Sequence, residues 1–329
     1  MGYCRNIKPE KIEGIEIPIK IKCVDFWPGY DQNNIFYELL SQKWKVEITD
    51  KPDYLISSVW NGTNCNGGYG SLGKFQYGGS FQKYKKCVRI FYTAECVRPN
   101  WDLYDYCFTF DYLNPVTSDP TNIDRHFRLP WYYFAWGLTP KRGLKHPFLF
   151  DKSKNIERSK FCAFLAANPY PLERLEFFDK LSKYKQVDAA GPVRNNIDHI
   201  IEYWNKPKFL SDYKFSMAFE NISYPGYTTE KLHDAMAMNT IPIYWGDPLV
   251  HLDFNLKSFI NVSSFPTMDE AVEYGIKVDQ DNNLYSSIFS EPYFNNNKLP
   301  DCINTELILN QFTKIFRRGS RDLRRTSRF

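Results

Sequence analysis

The chain has 329 residues, 43% hydrophobic and 24% charged, which suits two globular domains of ordinary size and excludes a disordered or membrane-spanning chain. Its formal charge of +4 is uneven: six arginines and one aspartate from Arg317 onward carry +5, leaving −1 for all the rest. So neutral a body excludes a nucleic-acid-binding domain, whose charge would spread over a broad patch.

The first residues, MGYCRNIKPEKIEG, contain no apolar run of signal-peptide length, and no later segment approaches a membrane span. The eight cysteines are widely spaced without a Cys-x-x-Cys pair, so no zinc site is expected. These features predict a cytoplasmic, reduced protein, in which Asn61, Asn221 and Asn261 are idle as glycosylation sites.

In chain order, strands are predicted over 19–26, 46–48, 54–59, 87–92 and 106–110, with an amphipathic helix over 33–42. Residues 61–79, rich in Gly, Asn and Tyr, read as a long loop or lid. Residues 117–152 carry many prolines and aromatics with weak periodicity and read as irregular. A second unit begins near Phe161 with a strand ending in Ala167-Asn168-Pro169, a helix over 172–184 and a strand at Val187-Asp188. Arg194-Asn195-Asn196 then leads into a short helix ending near Tyr203-Trp204. A strand over 215–219, a helix from Thr228 to about Asn239, a strand over 241–246 and a helix over 268–277 follow. Alternation of this kind argues for α/β layers with mainly parallel sheets. The domains are placed at 1–155, 156–305 and a C-terminal helix with basic tail at 306–329.

The stretch from Lys214 to Pro248 is the most informative. Its strand ends in Glu220-Asn221, a loop with Pro225 and Gly226 follows, and Thr228-Thr229-Glu230-Lys231 opens a helix. Such a unit presents backbone N–H groups, a lysine and a tyrosine at a helix N-terminus, where the dipole and unpaired donors favour phosphate. Thr228 or Thr229 is the natural N-cap.

Phe219-Glu220-Asn221, then Tyr227-x-x-Glu230-Lys231, then Ile241-Pro-Ile-Tyr-Trp-Gly246 resemble the donor-binding signature of α1,3/4-fucosyltransferases, glycosyltransferase family 10. Two further elements extend the resemblance. Phe91-Tyr92-Thr93-Ala94-Glu95 is similar to the family's FYTGE, with Ala94 where glycine is frequent. Ala167-Asn168-Pro169 with Arg174, and Gly191-Pro192-Val193-Arg194-Asn195, are similar to its SNP and SVRN-like elements.

The resemblance implies a GT-B fold: two Rossmann-like domains with the active site in the cleft between them. It implies inverting transfer of L-fucose from GDP-β-L-fucose to an N-acetylglucosamine-containing, Lewis-type acceptor glycan in α1,3 or α1,4 linkage. Glu95 would be the general base. Arg194 would clamp the pyrophosphate with its guanidinium, Lys231 would neutralise the leaving phosphates and Tyr227 would donate to them. Asn168 and Asn221 would bind donor oxygens and Glu230 the ribose hydroxyls. Several assignments have rivals. Arg194 could form a surface ion pair, Arg174 could be a snorkelling surface residue rather than a donor ligand, and Glu220 could be a structural buried acid paired with an arginine rather than a neighbour of the fucose ring. Tyr244 and Trp245 read as strand core.

The cationic groups make a metal unnecessary, so no cofactor is expected beyond the donor substrate. The one Asp-x-Asp, Asp279-Gln280-Asp281, follows a helix and reads as a solvated turn. The Arg-rich end fits peripheral contact with the inner face of an anionic membrane or a solubilising tail. A transferase for another nucleotide sugar, or a non-catalytic glycan-binding relative, are the alternatives.

Overall fold

Short, almost wholly apolar runs such as Tyr54-Leu-Ile-Ser57 and Tyr106-Cys-Phe-Thr109 can be satisfied only where both faces of a sheet are covered. The computed structural model describes residues 18–27, 29–60, 79–113, 118, 120–137, 158–202 and 205–319. The chain divides into two units, Met1–Phe134 with Asp301–Phe329, and Ala135–Pro300.

In the first unit β1 (Ile19–Val24), α1 (Ile35–Leu40), β2 (Val46–Ile48), β3 (Tyr54–Ser57), β4 (Val88–Tyr92), β5 (Tyr106–Thr109), α2 (Pro120–Ile123), β6 (His126–Arg128) and α3 (Trp131–Gly137) follow one another. The strands form a six-stranded sheet in the order β2-β1-β3-β4-β5-β6, with every pairing parallel. In α1, Asn34 caps the N-terminus by accepting from the Tyr37 N–H at 2.9 Å, and Ile35, Phe36, Leu39 and Leu40 are buried.

The second unit continues with β7 (Lys160–Phe164), α4 (Leu172–Leu181), β8 (Val187–Ala189), α5 (Lys206–Leu210), β9 (Tyr213–Phe219), α6 (Glu230–Ala237), β10 (Ile241–Trp245), β11 (Ile260–Asn261), α7 (Met268–Gln280) and α8 (Asn282–Phe289). Its sheet, β11-β10-β9-β7-β8, is again parallel. Counted within each unit, both sheets begin with the order 2-1-3-4-5. Strand order reverses between β1 and β3 in one and between β7 and β9 in the other, and ligands of open α/β sheets bind beyond the carboxyl ends at such reversals.

The last helix, α9 (Thr305–Arg318), belongs to the first unit. Its buried face carries Ile308, Leu309, Phe312, Ile315 and Phe316. Phe312 stacks on Phe108 of β5 with ring centroids 4.7 Å apart, and Phe316 lies 4.6 Å from Tyr54 of β3. The Tyr54 hydroxyl donates to the Phe316 carbonyl at 3.1 Å and that of Tyr106 to the Gly319 carbonyl at 2.9 Å. Arg318 forks onto Asp124 at 2.8 and 2.9 Å. The helix therefore covers β3 and β5 of a sheet laid down some two hundred residues earlier.

Three expectations need correction. The segment 117–152 is not wholly irregular: it holds α2, β6 and α3. β6 is only three residues long and half-buried, so it shows no alternation, while α3 is an aromatic run buried at Tyr132, Tyr133 and Phe134, whose residues are weak helix formers read alone. Among the described residues no helix lies between Arg194 and α5. Arg194 and Asp198 have positive φ, and Asn196 ties the segment back to β8 by accepting from the Ala189 N–H (2.7 Å) and donating to the Val187 carbonyl (2.9 Å). Asp279-Gln280-Asp281 is not a solvated turn. Asp279, next to last in α7, has a nearly buried side chain that accepts from Lys214 and, at 3.0 Å, from Tyr184, and Asp281 caps α8 through the Asn283 and Leu284 N–H groups. The loop at 61–78, Cys4, Cys65 and the tail at 320–329 lie outside the described residues.

Truncating Phe312 to alanine empties the contact between α9 and β5 and should cost about 3–5 kcal/mol, seen as an earlier first transition in chemical unfolding. Burial alone would raise the Asp279 carboxyl, but hydrogen bonds from Lys214 and Tyr184 and the lysine charges outweigh it and hold the group below its usual range. A carboxyl depressed in the folded state stabilises above its unfolded pKa and loses that contribution as pH falls through its folded one. The fall in Tm on acidification below about pH 4 should therefore be shallower in Asp279→Asn than in the parent chain.

Candidate functional site

At the carboxyl edge of the second sheet the polar residues are placed by the strands that precede them. β9 delivers Glu220 and Asn221, β7 delivers the Ala167-Asn168-Pro169 turn, and these two strands flank the reversal of strand order. Arg174, from α4, joins the two turns. One guanidinium nitrogen donates to the Asn168 carbonyl at 3.0 Å; another reaches the Phe219 and Glu220 carbonyls at 2.9 and 2.7 Å and Asn221 Oδ1 at 3.1 Å. It is 2% exposed, which rules out the snorkelling surface residue. Its Nε and the Nδ2 of Asn168 are buried donors without a partner among the described residues. Buried donors are nearly always satisfied, so two at one turn suit an oxygen-rich ligand.

Glu220 is fully buried, yet both its oxygens are engaged. Oε1 accepts from the Thr229 N–H at 2.7 Å, and Oε2 from the Thr229 hydroxyl at 2.6 Å and Lys231 Nζ at 3.2 Å. Of the two readings left open for Glu220, the acid is buried, but its side-chain partner is a lysine, while the arginine meets only the backbone carbonyl. Thr229 occupies the N-cap position of α6 without making a side-chain cap bond. A carboxylate from the neighbouring strand caps the helix in its place, where the dipole favours negative charge.

Lys231 Nζ also donates to Thr229 Oγ1 at 2.9 Å and lies 3.6 Å from Glu230 Oε1. Burial would depress the ammonium, but the Glu220 and Glu230 charges prevail and raise it above its ordinary value. It stays protonated. Gly246 makes this packing possible: a Cβ there would lie 2.5 Å from Glu220 Cγ and 2.6 Å from Cβ.

A residue not singled out from sequence completes the loop. Asp247, 2% exposed, accepts from the Gly226 and Leu249 N–H groups at 2.7 Å each and from the Thr228 hydroxyl at 3.0 Å. The Tyr244 hydroxyl accepts from the Asp247 N–H at 3.0 Å, so Tyr244 is strand core with a working hydroxyl, and Trp245 stacks on Phe219. Tyr227 is thereby fixed between two residues that one carboxylate holds. The signal in the sequence was the acid directly after Tyr244-Trp245-Gly246.

Arg194 reaches this edge through Gly191, whose missing Cβ would meet the Ala166 backbone at 2.4–2.9 Å. The Val193 N–H donates to the Ala166 carbonyl at 3.1 Å. The guanidinium itself pairs with Asp179 at 2.6 Å, with both side chains about half exposed. Asn168, Arg174, Glu220, Asn221, Tyr227, Glu230 and Lys231 thus share one edge of the second unit; Arg194 sits beside them but points to Asp179.

In the first unit β4 carries Glu95 out beyond its carboxyl end. The Thr93 hydroxyl accepts from the Glu95 N–H at 3.0 Å and donates to its carbonyl at 2.8 Å. The side chain is half-buried. Among the described residues no three His, Cys, Asp or Glu gather as a metal site would require, and no helix is long and apolar enough to cross a membrane.

Comparison with known proteins agrees with this layout. Residues 155–301 match the profile "Glycosyltransferase family 10 (fucosyltransferase) C-term" and residues 21–135 match "Alpha-(1,3)-fucosyltransferase FucT N-terminal domain". The chain is 32% identical over 307 residues to Alpha-(1,3)-fucosyltransferase FucT of Helicobacter pylori, covering 83% of this chain and 60% of that protein's length. A crystal structure of alpha1,3-fucosyltransferase superposes with a TM-score of 0.71 at 28% identity, covering 97% of this chain and 98% of the other. One of alpha1,3-fucosyltransferase with GDP-fucose gives 0.65 at 28%, over 93% and 95%. The fold is of the GT-B type. One profile falls on each unit, in chain order, and the chain belongs to glycosyltransferase family 10 (fucosyltransferase).

Proposed function

We propose that the chain is an inverting fucosyltransferase that moves L-fucose from GDP-β-L-fucose to a hydroxyl of N-acetylglucosamine in an acceptor glycan, forming an α1,3 (or α1,4) linkage. The observation that carries this is the Lys231 ammonium, kept protonated on buried Glu220 at the N-terminus of α6, beside the unpartnered donors of Asn168 and Arg174. A solved relative contains GDP-fucose.

Lys231, Tyr227 and the first N–H groups of α6 take the diphosphate. Arg194 leaves Asp179 for it, since a half-exposed ion pair is cheap to break and phosphate offers the guanidinium a second parallel bond. Asn168 and Asn221 hold donor oxygens and Glu230 the ribose hydroxyls. Arg174 supports the two turns from beneath, and Glu220 orients Lys231 rather than meeting the fucose ring. Glu95 accepts the proton of the acceptor hydroxyl as that oxygen attacks the anomeric carbon. The bond from that carbon to the β-phosphate oxygen breaks as the new bond forms, and configuration inverts. The departing charge is met by fixed cations, so the reaction needs no metal. The acceptor is a glycan of lipopolysaccharide or glycoprotein type, and the setting is the cytoplasm, with the Arg-rich end resting on an anionic membrane face.

Glu95→Gln should leave GDP affinity, measured by calorimetry, unchanged while turnover falls roughly a hundredfold or more; full turnover would remove Glu95 from the mechanism. Lys231→Ala should weaken GDP binding itself, and preference for UDP over GDP in the parent chain would overturn the donor assignment. Activity should survive EDTA.

A further inference from the structure

Two neighbouring strands of the first sheet end alike. β4 runs out through Thr93 and Glu95, β5 through Thr109 and Asp111, and the strands are in step, Tyr92 pairing with Phe108. In each turn the threonine hydroxyl accepts from the backbone N–H of the acid two residues on, at 3.0 Å for Glu95 and 3.2 Å for Asp111. The acids differ in setting. Glu95 is half-buried, whereas Asp111 is only 5% exposed. The Thr109 hydroxyl donates to Asp111 Oδ2 at 3.1 Å and lies 2.8 Å from His126 Nε2 of β6. Arg98 Nε meets the same Asp111 oxygen at 3.1 Å.

Arg98 stands three residues beyond Glu95, on the turn that leaves β4. Its side chain is 55% exposed, and an ion pair between two such surface groups would be worth little. A buried partner changes the balance, because removing the guanidinium would leave a buried carboxylate short of its counter-charge. Burial pushes the Asp111 carboxyl above its usual range, and the Arg98 charge is the strongest influence against that shift. Between the two residues the chain is held as well. The Val97 N–H donates to the Glu95 carbonyl at 2.7 Å, and the Val97 side chain is buried with Phe91, Tyr104 and Cys107. The turn carrying Glu95 is thus fastened at both ends, to β4 by Thr93 and to β5 by Arg98.

We infer that Arg98, seated on Asp111, is a positioning residue for Glu95: the pair latches the turn to the end of β5 and so sets where the backbone presents the carboxylate. This rests on Glu95 being the base. Arg98 takes no proton and acts through the chain that joins it to Glu95.

The test compares Arg98→Met, Arg98→Lys and Asp111→Asn, and Arg98→Met combined with Glu95→Gln. Tm, GDP affinity and steady-state kinetics at saturating GDP-fucose are measured for each, with an N-acetylglucosamine-containing acceptor. All should bind GDP as the parent does. Arg98→Met and Asp111→Asn should each lower kcat roughly tenfold or more, the order expected when a catalytic group is slightly misplaced. Arg98→Lys, whose ammonium keeps a charge for Asp111, should retain more turnover than Arg98→Met. Should Arg98→Met fail to fold, Asp111→Asn and Arg98→Lys carry the comparison. In the Glu95→Gln background Arg98→Met should cause no further loss. Parent-like kcat in Arg98→Met overturns the inference, and so does a raised acceptor KM at parent kcat, which would make Arg98 an acceptor contact. An equal loss in both backgrounds also overturns it, since the pair would then serve stability alone. These outcomes leave the base assignment standing. Full turnover in Glu95→Gln sinks that assignment itself, and this inference with it.

Discussion

The buried carboxylate of Glu220 is the interaction on which the site of the second unit depends. Isolated in an apolar interior, an ionised acid would be too costly to keep. Three donors, two from Thr229 and one from Lys231, and the positive end of α6 offset part of that cost, and burial still holds the carboxyl above its usual range. One group thereby starts a helix, fixes the angle at which that helix leaves the loop and holds a lysine charged. The packing tolerates nothing larger than hydrogen at Gly246. A lysine restrained on short bonds loses less freedom on meeting a phosphate than one waving in water, which is the general benefit of preorganisation.

Sheet topology decides why these groups meet. Parallel strands need crossovers, and the crossovers of both units begin at the same edge of their sheets. Where strand order reverses, the two departing loops diverge and leave backbone groups uncovered. In the second unit Arg174 fills that gap from below, bonding both loops at once. Its charge lies beneath the two loops without reaching the surface. In the first unit the same edge receives Glu95, and the same rule of emplacement applies.

Much of the fold was legible because parallel strands are buried on both faces and announce themselves as apolar runs. β4, β9 and β10 fell where expected, and so did α6. The misreadings share one cause. β6 is an edge strand defined by its pairing with β5 rather than by its three residues, and α3 is a helix of aromatics whose helicity comes from burial. Asn196 ties the segment after Arg194 back to β8. In each case tertiary contacts overrode local preference.

The sequence by itself determined the residue types and their order: an acid after β4, a basic and polar cluster after β7, β8 and β9, and a lysine in the first turn of α6. These follow from local patterns, since strand ends, turns and caps are written in neighbouring residues. Only the tertiary structure decided what each group meets. It seated Glu220 under Gly246, turned Arg174 inward, gave Asp247 charge of the loop around Tyr227, bound Asp279 to Lys214 and brought α9 back over β3 and β5. Those partners lie tens to hundreds of residues apart, and their pairing is fixed by which surfaces a packed sheet and its crossovers bring into contact, a constraint no local pattern carries.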